Sequence, residues 1–584
     1  MSEVNSRLAA IFDDIGNYLE FKNENPFKVK AYQKAARTLE GLSFSVDSIT
    51  PKELLETPGI GKAIGEKIQV FLESGQIPLH EELKAEFPPG LLELLKVPGL
   101  GAKKVGALFH DLGVQSLADL QAALDQGKIA TLTGFGKKTE ENLRKSIALV
   151  AVSEERIHLG KAWDIISNIQ EKLMEAGYQG DLWPCGSFRR RRETVGDIDL
   201  IAVEGSLENT AVMAAFRSLV EPENVIVSGP TKTSIRWGGR TQVDLRLIAP
   251  GSVGAALQYF TGSKDHNVSL RARCERRNWK LNEYGLFDVE EHNLLDSTLA
   301  PLAQEKQIYQ LLDLPYFPPE LRETGLEYSN LREGDLFQLP DLVSEADIVG
   351  NLHTHSQWSD GDLTLEQVAE QAMARGYQYL AVTDHSQYLI VANGLSVERL
   401  LEQGRQIKEL NARLADQGHS FRLLWGTECD ILADGKMDFP DDILAQLDWV
   451  VAAVHTSMSQ PSAQMTDRIC KALSNHYVRV LAHPTGRVLG KREGIEADWD
   501  AVFKTAAERK VLMEINGAAR RQDLSDRMVR RAASFGLRFS LATDAHKLKD
   551  FNRMQWALGV ARRAGLSAGQ VVNASPWSAV SSPV

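Results

Sequence analysis

Cysteine is scarce: four in 584 residues, Cys185, Cys274, Cys429 and Cys470, with no C-x-x-C pair among them. That argues against a disulfide framework and a zinc finger and leaves reduced, partly buried thiols as the expectation. No run of about 18 apolar residues occurs, so no membrane partner is expected. The first residues, MSEVNSRLAAIFDD, lack the basic-then-apolar order of a signal peptide and point to the cytoplasm. An excess of positive charge is missing too. The formal charge is −12, and residues 1–150 carry about 18 basic against 20 acidic side chains. Any grip on a phosphate backbone must therefore come from local devices: helix N-termini, short arginine clusters, or metal ions that offset carboxylates. The length exceeds one hydrophobic core and predicts two to four domains.

The first 150 residues contain a weak repeat. Pro58-Gly59-Ile60-Gly61, Pro98-Gly99-Leu100-Gly101 and Thr133-Gly134-Phe135-Gly136 each precede an amphipathic helical pattern. Each reads as helix, tight turn, helix. The glycines let a backbone approach closely, and the following helix offers unpaired N–H groups to a phosphate. Lys62, Lys103 and Lys104 sit where they could add charge.

Residues 186–200, GSFRRRRETVGDIDL, are the most informative part of the next segment. In the strand-like run DIDLIAV, period-2 geometry puts Asp197 and Asp199 on one face. Two such carboxylates repel unless a divalent cation lies between them. A second strand-like run, TQVDLRLIA, offers Asp244. Three aspartates on neighbouring strands can hold two Mg²⁺ or Mn²⁺ ions about 3.5–4 Å apart, the arrangement for in-line phosphoryl transfer. Gly186 and Ser187 begin a turn suited to the outgoing phosphates, and Arg189 or Arg190 supplies bidentate charge.

After residue 350 the histidines fall into a pattern. His353, His355 and Asp360 come from NLHTHSQWSDG, and His385, Glu428, His455 and His483 from four later clusters. Asp544 and His546 come from LATDAH. Almost every cluster follows a short apolar run, which places the ligands at the C-terminal ends of strands, where barrel enzymes assemble their sites. Nine N/O ligands exceed the need of one ion, so two or three Mn²⁺ or Zn²⁺ ions are implied. The tail, ASPWSAVSSPV, is expected to be poorly ordered.

On these motifs the chain resembles bacterial-type family X DNA polymerases that carry a C-terminal polymerase and histidinol phosphatase (PHP) domain. The fold implied is multidomain. It comprises α-helical N-terminal domains with helix-hairpin-helix motifs, an α/β nucleotidyltransferase palm with a thumb, and a distorted (β/α)7 PHP barrel with a trinuclear metal centre. The expected divisions are 1–85 and 86–150 (helical), 151–257 (palm), 258–318 (thumb, nucleotide selection), 319–345 (linker) and 346–575 (PHP). The resemblance implies DNA contacts through Gly59, Gly61, Gly99, Gly101, Gly134 and Gly136, and through Lys232 in GPTKTS. In QYFTGSKDHNVSLR it sets Tyr259 and Phe260 against the incoming sugar and lets the backbone approach at Gly262. It aims Asn267 and Arg271 at the nascent pair and template. Lys67 matches the family's abasic-site lyase nucleophile, with phosphate contact or simple solvation the alternative. Ala63, Gln242 and Lys264 depart from the eukaryotic pattern at positions that are basic, arginine and aspartate there.

The implied activity is filling of short gaps in DNA repair, on gapped or nicked duplex with dNTPs, by a monomer. A metal-dependent 3′–5′ exonuclease, with abasic-site endonuclease a further option, is implied for the barrel. Two readings compete: a polymerase fused to a small-molecule phosphatase, and a non-catalytic DNA clamp that delivers a nuclease.

Overall fold

The computed structural model describes the chain except residues 1–2, 42–44, 58, 89, 96, 98–99, 133–134, 137–138, 141–142, 145–155, 206, 324–338, 491 and 581–584. It divides into two units, 1–155 and 156–584. The middle of the expected linker lies outside the described residues, as do Gly99 and Gly134.

The first unit is helical. Helices Glu3–Phe21 and Pro26–Gly41 pair closely, and Lys62–Ser74 and Ala102–Leu112 follow the Gly-x-Gly turns. Its apolar stripes fill one core that runs from Leu8 to Leu143, with Phe12, Phe21, Ile68 and Leu108 essentially sealed from water.

In the second unit the palm is a five-stranded sheet: β1 (Leu182–Pro184), β2 (Asp197–Val203), β3 (Val225–Ser228), β4 (Lys232–Trp237) and β5 (Thr241–Ile248). Their order is β1-β2-β5-β4-β3, with only β2 and β5 parallel. Along β2 the apolar side chains Ile198 and Leu200 turn inward against helix Leu159–Glu175. The same alternation turns Asp197 and Asp199 outward. Helices Val253–Thr261, Lys264–Glu275 and Pro301–Leu311 form a third core around Leu270, Ile308 and Phe317.

Seven parallel strands follow in chain order: β6 (Gly350–Asn351), β7 (Tyr379–Val382), β8 (Arg422–Asp430), β9 (Trp449–Ala453), β10 (Val480–Leu481), β11 (Leu512–Asn516) and β12 (Phe539–Ala542). They are almost wholly buried, as parallel strands covered by helices must be. Alternate residues sort into an outer core against the helices and an inner one containing Tyr379, Leu424, Trp449 and Val451. Among the described residues β6 and β12 share no ladder; the ring closes instead through side chains and isolated bonds, the Asn351 amide donating to the Thr543 hydroxyl (2.7 Å). Thr354 bridges Ala545 at the top. At the bottom the buried Asn573 amide donates to Gly350 and Leu541 carbonyls (2.9 Å each) and accepts from the Leu541 N–H (2.7 Å).

The tail departs from expectation. Trp577–Val580 is a helical turn, Trp577 packs on Tyr379 and Trp449, and Val580 is buried. These two apolar anchors join the inner core of the barrel.

Palm and barrel share a seam. Trp556 from helix Met554–Arg563 belongs to the palm core, edge-on to Phe188 and Trp163. Arg563 donates to the Arg190 carbonyl (2.8 Å) and pairs with Glu323 (2.6 Å). Arg487 pairs with Glu193 (2.6 Å) and Arg562 with Glu320 (2.8 Å).

Candidate functional site

In the palm, the parallel register of β2 and β5 sets Asp199 directly opposite Asp244, and Asp197 opposite Gln242. Burial, then the charges of Asp197 and Asp244, push the Asp199 carboxyl up to about 7. Three carboxylates crowded on one face are stable as anions only with cations among them, so these residues fit divalent ions. Asp244 is steered from both sides: Lys232 on β4 pairs with one oxygen (3.1 Å) and the Gln242 amide donates to the other (2.8 Å).

The turn before β2 presses against this face. Gly186 has φ +56°, and a Cβ there would lie 2.6 Å from Asp199 Oδ2. No other residue lets the turn approach so closely. Next to it the Ser187 hydroxyl is buried with no hydrogen-bond partner, as a group awaiting a ligand oxygen would be. Both border a cavity of about 510 Å³ with Asp197 and Asp199 at its base. Arg190, Tyr259, Phe260, Gly262, Asn267 and Arg271 line it as well, so seven of the eight residues expected at the nucleotide are gathered there with Arg271. Asn267 donates to the Tyr259 carbonyl (2.7 Å), Phe260 lies under the Arg246 guanidinium, and Gly262 takes φ +66°.

Arg189 is the correction. It turns away from the cavity and forms two bonds to Glu305 (2.8 and 2.7 Å), beside Arg322, which is fully buried and bonds the same carboxylate (2.8 Å). Burial would raise the Glu305 carboxyl, but Arg322 and Arg189 outweigh it and hold it at about 2. Arg189 thus fastens the palm to helix Pro301–Leu311, with Nη1 also on the Thr261 hydroxyl (2.6 Å), and does not line the cavity.

In the barrel all nine expected ligands meet at the C-terminal ends of the strands. Three overlapping groups have ligand atoms within 4.8 Å of one another: His355, Asp360, His385 and His546; His353, His355 and Asp544; and His385, Glu428 and His455. His483 joins the third through Glu428 (2.8 Å). His355 serves two groups, with Nδ1 facing Asp360 (3.7 Å) and Nε2 facing Asp544 (3.4 Å). The buried Nδ1 atoms of His355 and His483 have no hydrogen-bond partner, and three groups sharing members fit up to three ions. Burial would lower His455, yet Glu428 and Asp430 overcome it and raise the imidazole to about 10. Among the described residues, groups this tight occur only in the barrel.

Two supporting carboxylates escaped sequence reasoning. Glu514 accepts from His353 Nδ1 (2.6 Å) and Asp430 from His455 Nδ1 (3.2 Å), which fixes both ring orientations. Asp430 could have been found, since it lies two residues after Glu428 on one strand and so shares its face. Glu514 could not, because its partner is 161 residues away.

In the helical unit, Gly61 and Gly101 precede the helices Lys62–Ser74 and Ala102–Leu112, and neither would meet any atom within 4 Å through a Cβ. Both helix starts are open. Gly59 takes φ +97°, packed over Thr38. Gly136 accepts from the Thr139 N–H (2.8 Å). Lys67 reaches back to the Ala63 carbonyl (3.4 Å) on its own helix.

Comparison with known proteins covers most of these parts. Residues 3–77 match the profile of a helix-hairpin-helix domain and 91–148 a SAM-like helix-hairpin-helix tandem. Residues 256–323 match a DNA polymerase beta thumb and 351–518 a PHP domain. The chain is 37% identical over 567 residues to the DNA polymerase/3′-5′ exonuclease PolX of Bacillus subtilis (strain 168), covering 97% of this chain and 96% of that protein. It is 25% identical over 322 residues to DNA polymerase lambda of Rattus norvegicus, about half of each chain (51% and 52%). A probable phosphatase of Thermoanaerobacter sp. (strain X514) is 27% identical over 237 residues, 39% of this chain and 90% of that one.

Proposed function

As a member of the family X DNA polymerases that carry a PHP domain, the chain is a DNA polymerase and 3′–5′ exonuclease, and we propose that the two activities use separate metal centres. Synthesis is assigned to Asp197, Asp199 and Asp244, which hold two Mg²⁺ or Mn²⁺ ions. Degradation is assigned to the nine barrel ligands, which hold two or three Mn²⁺ or Zn²⁺ ions. The observation that carries this is the convergence of two ligand sets on two different sheets of residues 156–584.

Bound divalent ions supply charge neutralisation and make a hydroxyl or water a better nucleophile at neutral pH. The chain's own groups do the rest. Ser187 donates its hydroxyl to an outgoing phosphate oxygen, and Arg190 sets positive charge across the cavity from the aspartates. Tyr259 and Phe260 stand where a 2′-hydroxyl would have to pass, which selects deoxynucleotides. Lys232 pairs with Asp244, and Arg271 reads the template edge of the pair. In the barrel, Glu514 and Asp430 keep His353 and His455 in one tautomer, so that their other nitrogens stay available as ligands. Gly59, Gly61, Gly101 and Gly136, and by the sequence motif Gly99 and Gly134, grip duplex backbone without base contacts. Short gaps in duplex DNA are the substrate that suits this combination, and the chain acts as a monomer.

A gapped duplex incubated with and without dNTPs tests the assignment. Asp199→Ala should abolish extension and spare degradation, and His355→Ala should do the reverse. Extension surviving in Asp199→Ala, or trimming surviving in His355→Ala, would overturn it. The likeness of the barrel to a probable phosphatase makes a small phosphomonoester the competing substrate. Hydrolysis of such an ester faster than trimming of a DNA 3′ end would favour that reading.

A further inference from the structure

The palm turn that carries Gly186, Ser187 and Arg190 leans on the barrel, and on one face of a single helix. Within Met554–Arg563, the residues Trp556, Gly559 and Arg563 stand three and four positions apart and so share a face. Each meets the turn. Trp556 lies edge-on to Phe188, with ring centroids 6.2 Å apart. Gly559 leaves room for Arg191, whose Cβ would stand 3.1 Å from a side chain placed there. Arg563 donates to the Arg190 carbonyl (2.8 Å).

The guanidinium of Arg563 is divided between barrel and palm. Nε and Nη2 hold Asp526 Oδ2 (3.1 and 3.0 Å) at the start of barrel helix Asp526–Ala533. Nη1 crosses to the palm, where besides the Arg190 carbonyl it takes Glu323 Oε1 (2.6 Å). That same oxygen accepts from Arg190 Nε (3.3 Å), while Arg190 Nη1 donates to the Thr261 carbonyl (2.5 Å). The backbone of Arg190 and the counter-charge of its side chain are thus both held from Arg563, and that side chain borders the nucleotide cavity. The other Glu323 oxygen faces the half-exposed Arg192 (3.4 Å), so a carboxylate released by Arg563 has a second cation to turn toward. A shift of about 1 Å in a group that grips substrate costs about 100-fold. Lysine, a single point of charge, cannot span Asp526 and the palm as the rigid fork does.

We propose that Arg563, a residue of the nuclease barrel, is a positioning residue for synthesis: it sets Arg190 for the triphosphate of the incoming nucleotide. The proposal rests on reading the palm cavity as the dNTP site.

Single-nucleotide filling of a gapped duplex by the full-length protein, with 3′ trimming measured alongside, provides the test. Arg563→Ala should raise KM for dNTP at least tenfold and change kcat less than threefold, with 3′ trimming within twofold of wild type. Arg563→Lys should show the same rise despite its charge, and it carries the comparison should Arg563→Ala melt early. Because Arg563 acts through Arg190, Arg563→Ala added to Arg190→Ala should raise KM no more than twofold beyond Arg190→Ala alone. Arg487→Ala is the control. It removes another ion pair of the seam, to Glu193, which does not line the cavity, and KM should stay within twofold. Unchanged KM in a folded Arg563 variant, equal losses of synthesis and trimming, full additivity with Arg190→Ala, or a like rise in Arg487→Ala would each overturn the role of Arg563. If Arg190→Ala itself left KM unchanged, the nucleotide reading of the cavity would fall, and this proposal with it; a rise there and none in Arg563→Ala would sink this proposal alone.

Discussion

Four consecutive arginines, Arg189 to Arg192, meet four different fates. Arg189 is locked to Glu305, Arg190 borders the nucleotide cavity, Arg191 stacks on Trp556, and Arg192 reaches Glu323. A sequence shows a run of identical cations; only the turn geometry decides where each points. This is why the aspartates were legible while Arg189 was not. The aspartates follow from strand periodicity alone, whereas the role of Arg189 depends on Glu305, 116 residues away. Glu305→Ala would leave Arg189 and the fully buried Arg322 without their shared counter-charge. A loss of about 3–5 kcal/mol in urea unfolding is expected. The same pair sets an acid limit. A carboxyl held at about 2 in the fold, against about 4.3 in an unfolded chain, contributes stability above pH 4.3 that fades as pH falls toward 2. Melting temperatures of wild type should fall through that window more steeply than those of Glu305→Gln. Gly186→Ala tests the close approach to Asp199. Forced displacement of the turn should cost synthesis about 100-fold, with 3′ trimming unchanged as the control.

At the level of elements, the strand-then-ligand grammar of the barrel was readable because each apolar run ends at its ligand. Ring closure was not. β6 is only two residues long, and part of its link to β12 runs through Asn573, beyond every motif. Asn573→Ala would strip partners from the Gly350 and Leu541 carbonyls and the Leu541 N–H in a sealed region. Each buried polar group left unpaired costs about 1–3 kcal/mol. Urea unfolding should show the barrel destabilised by about 3 kcal/mol, with a chelator removing less additional stability than it does from wild type. Likewise the tail, expected to be loose because chain ends commonly are, is anchored by Trp577 and Val580. Two well-placed apolar side chains are enough to tie an end down.

On the scale of the molecule, the order of parts could be read from one end of the chain to the other, but the seam between palm and barrel could not. Nothing in the sequence pairs Trp556 with Phe188, or Arg563 with Arg190, because the partners lie more than 350 residues apart and neither Trp556 nor Arg563 belongs to a motif. Yet Trp556 is as much a part of the palm interior as Ile198. The covalent thread through residues 324–338 is therefore not what keeps polymerase and nuclease together. With a protease site engineered into that stretch, cutting to completion should still give a single peak of undiminished size on gel filtration. Only denaturant would free the halves, and a gene split at this point should yield two polypeptides that find each other when co-expressed.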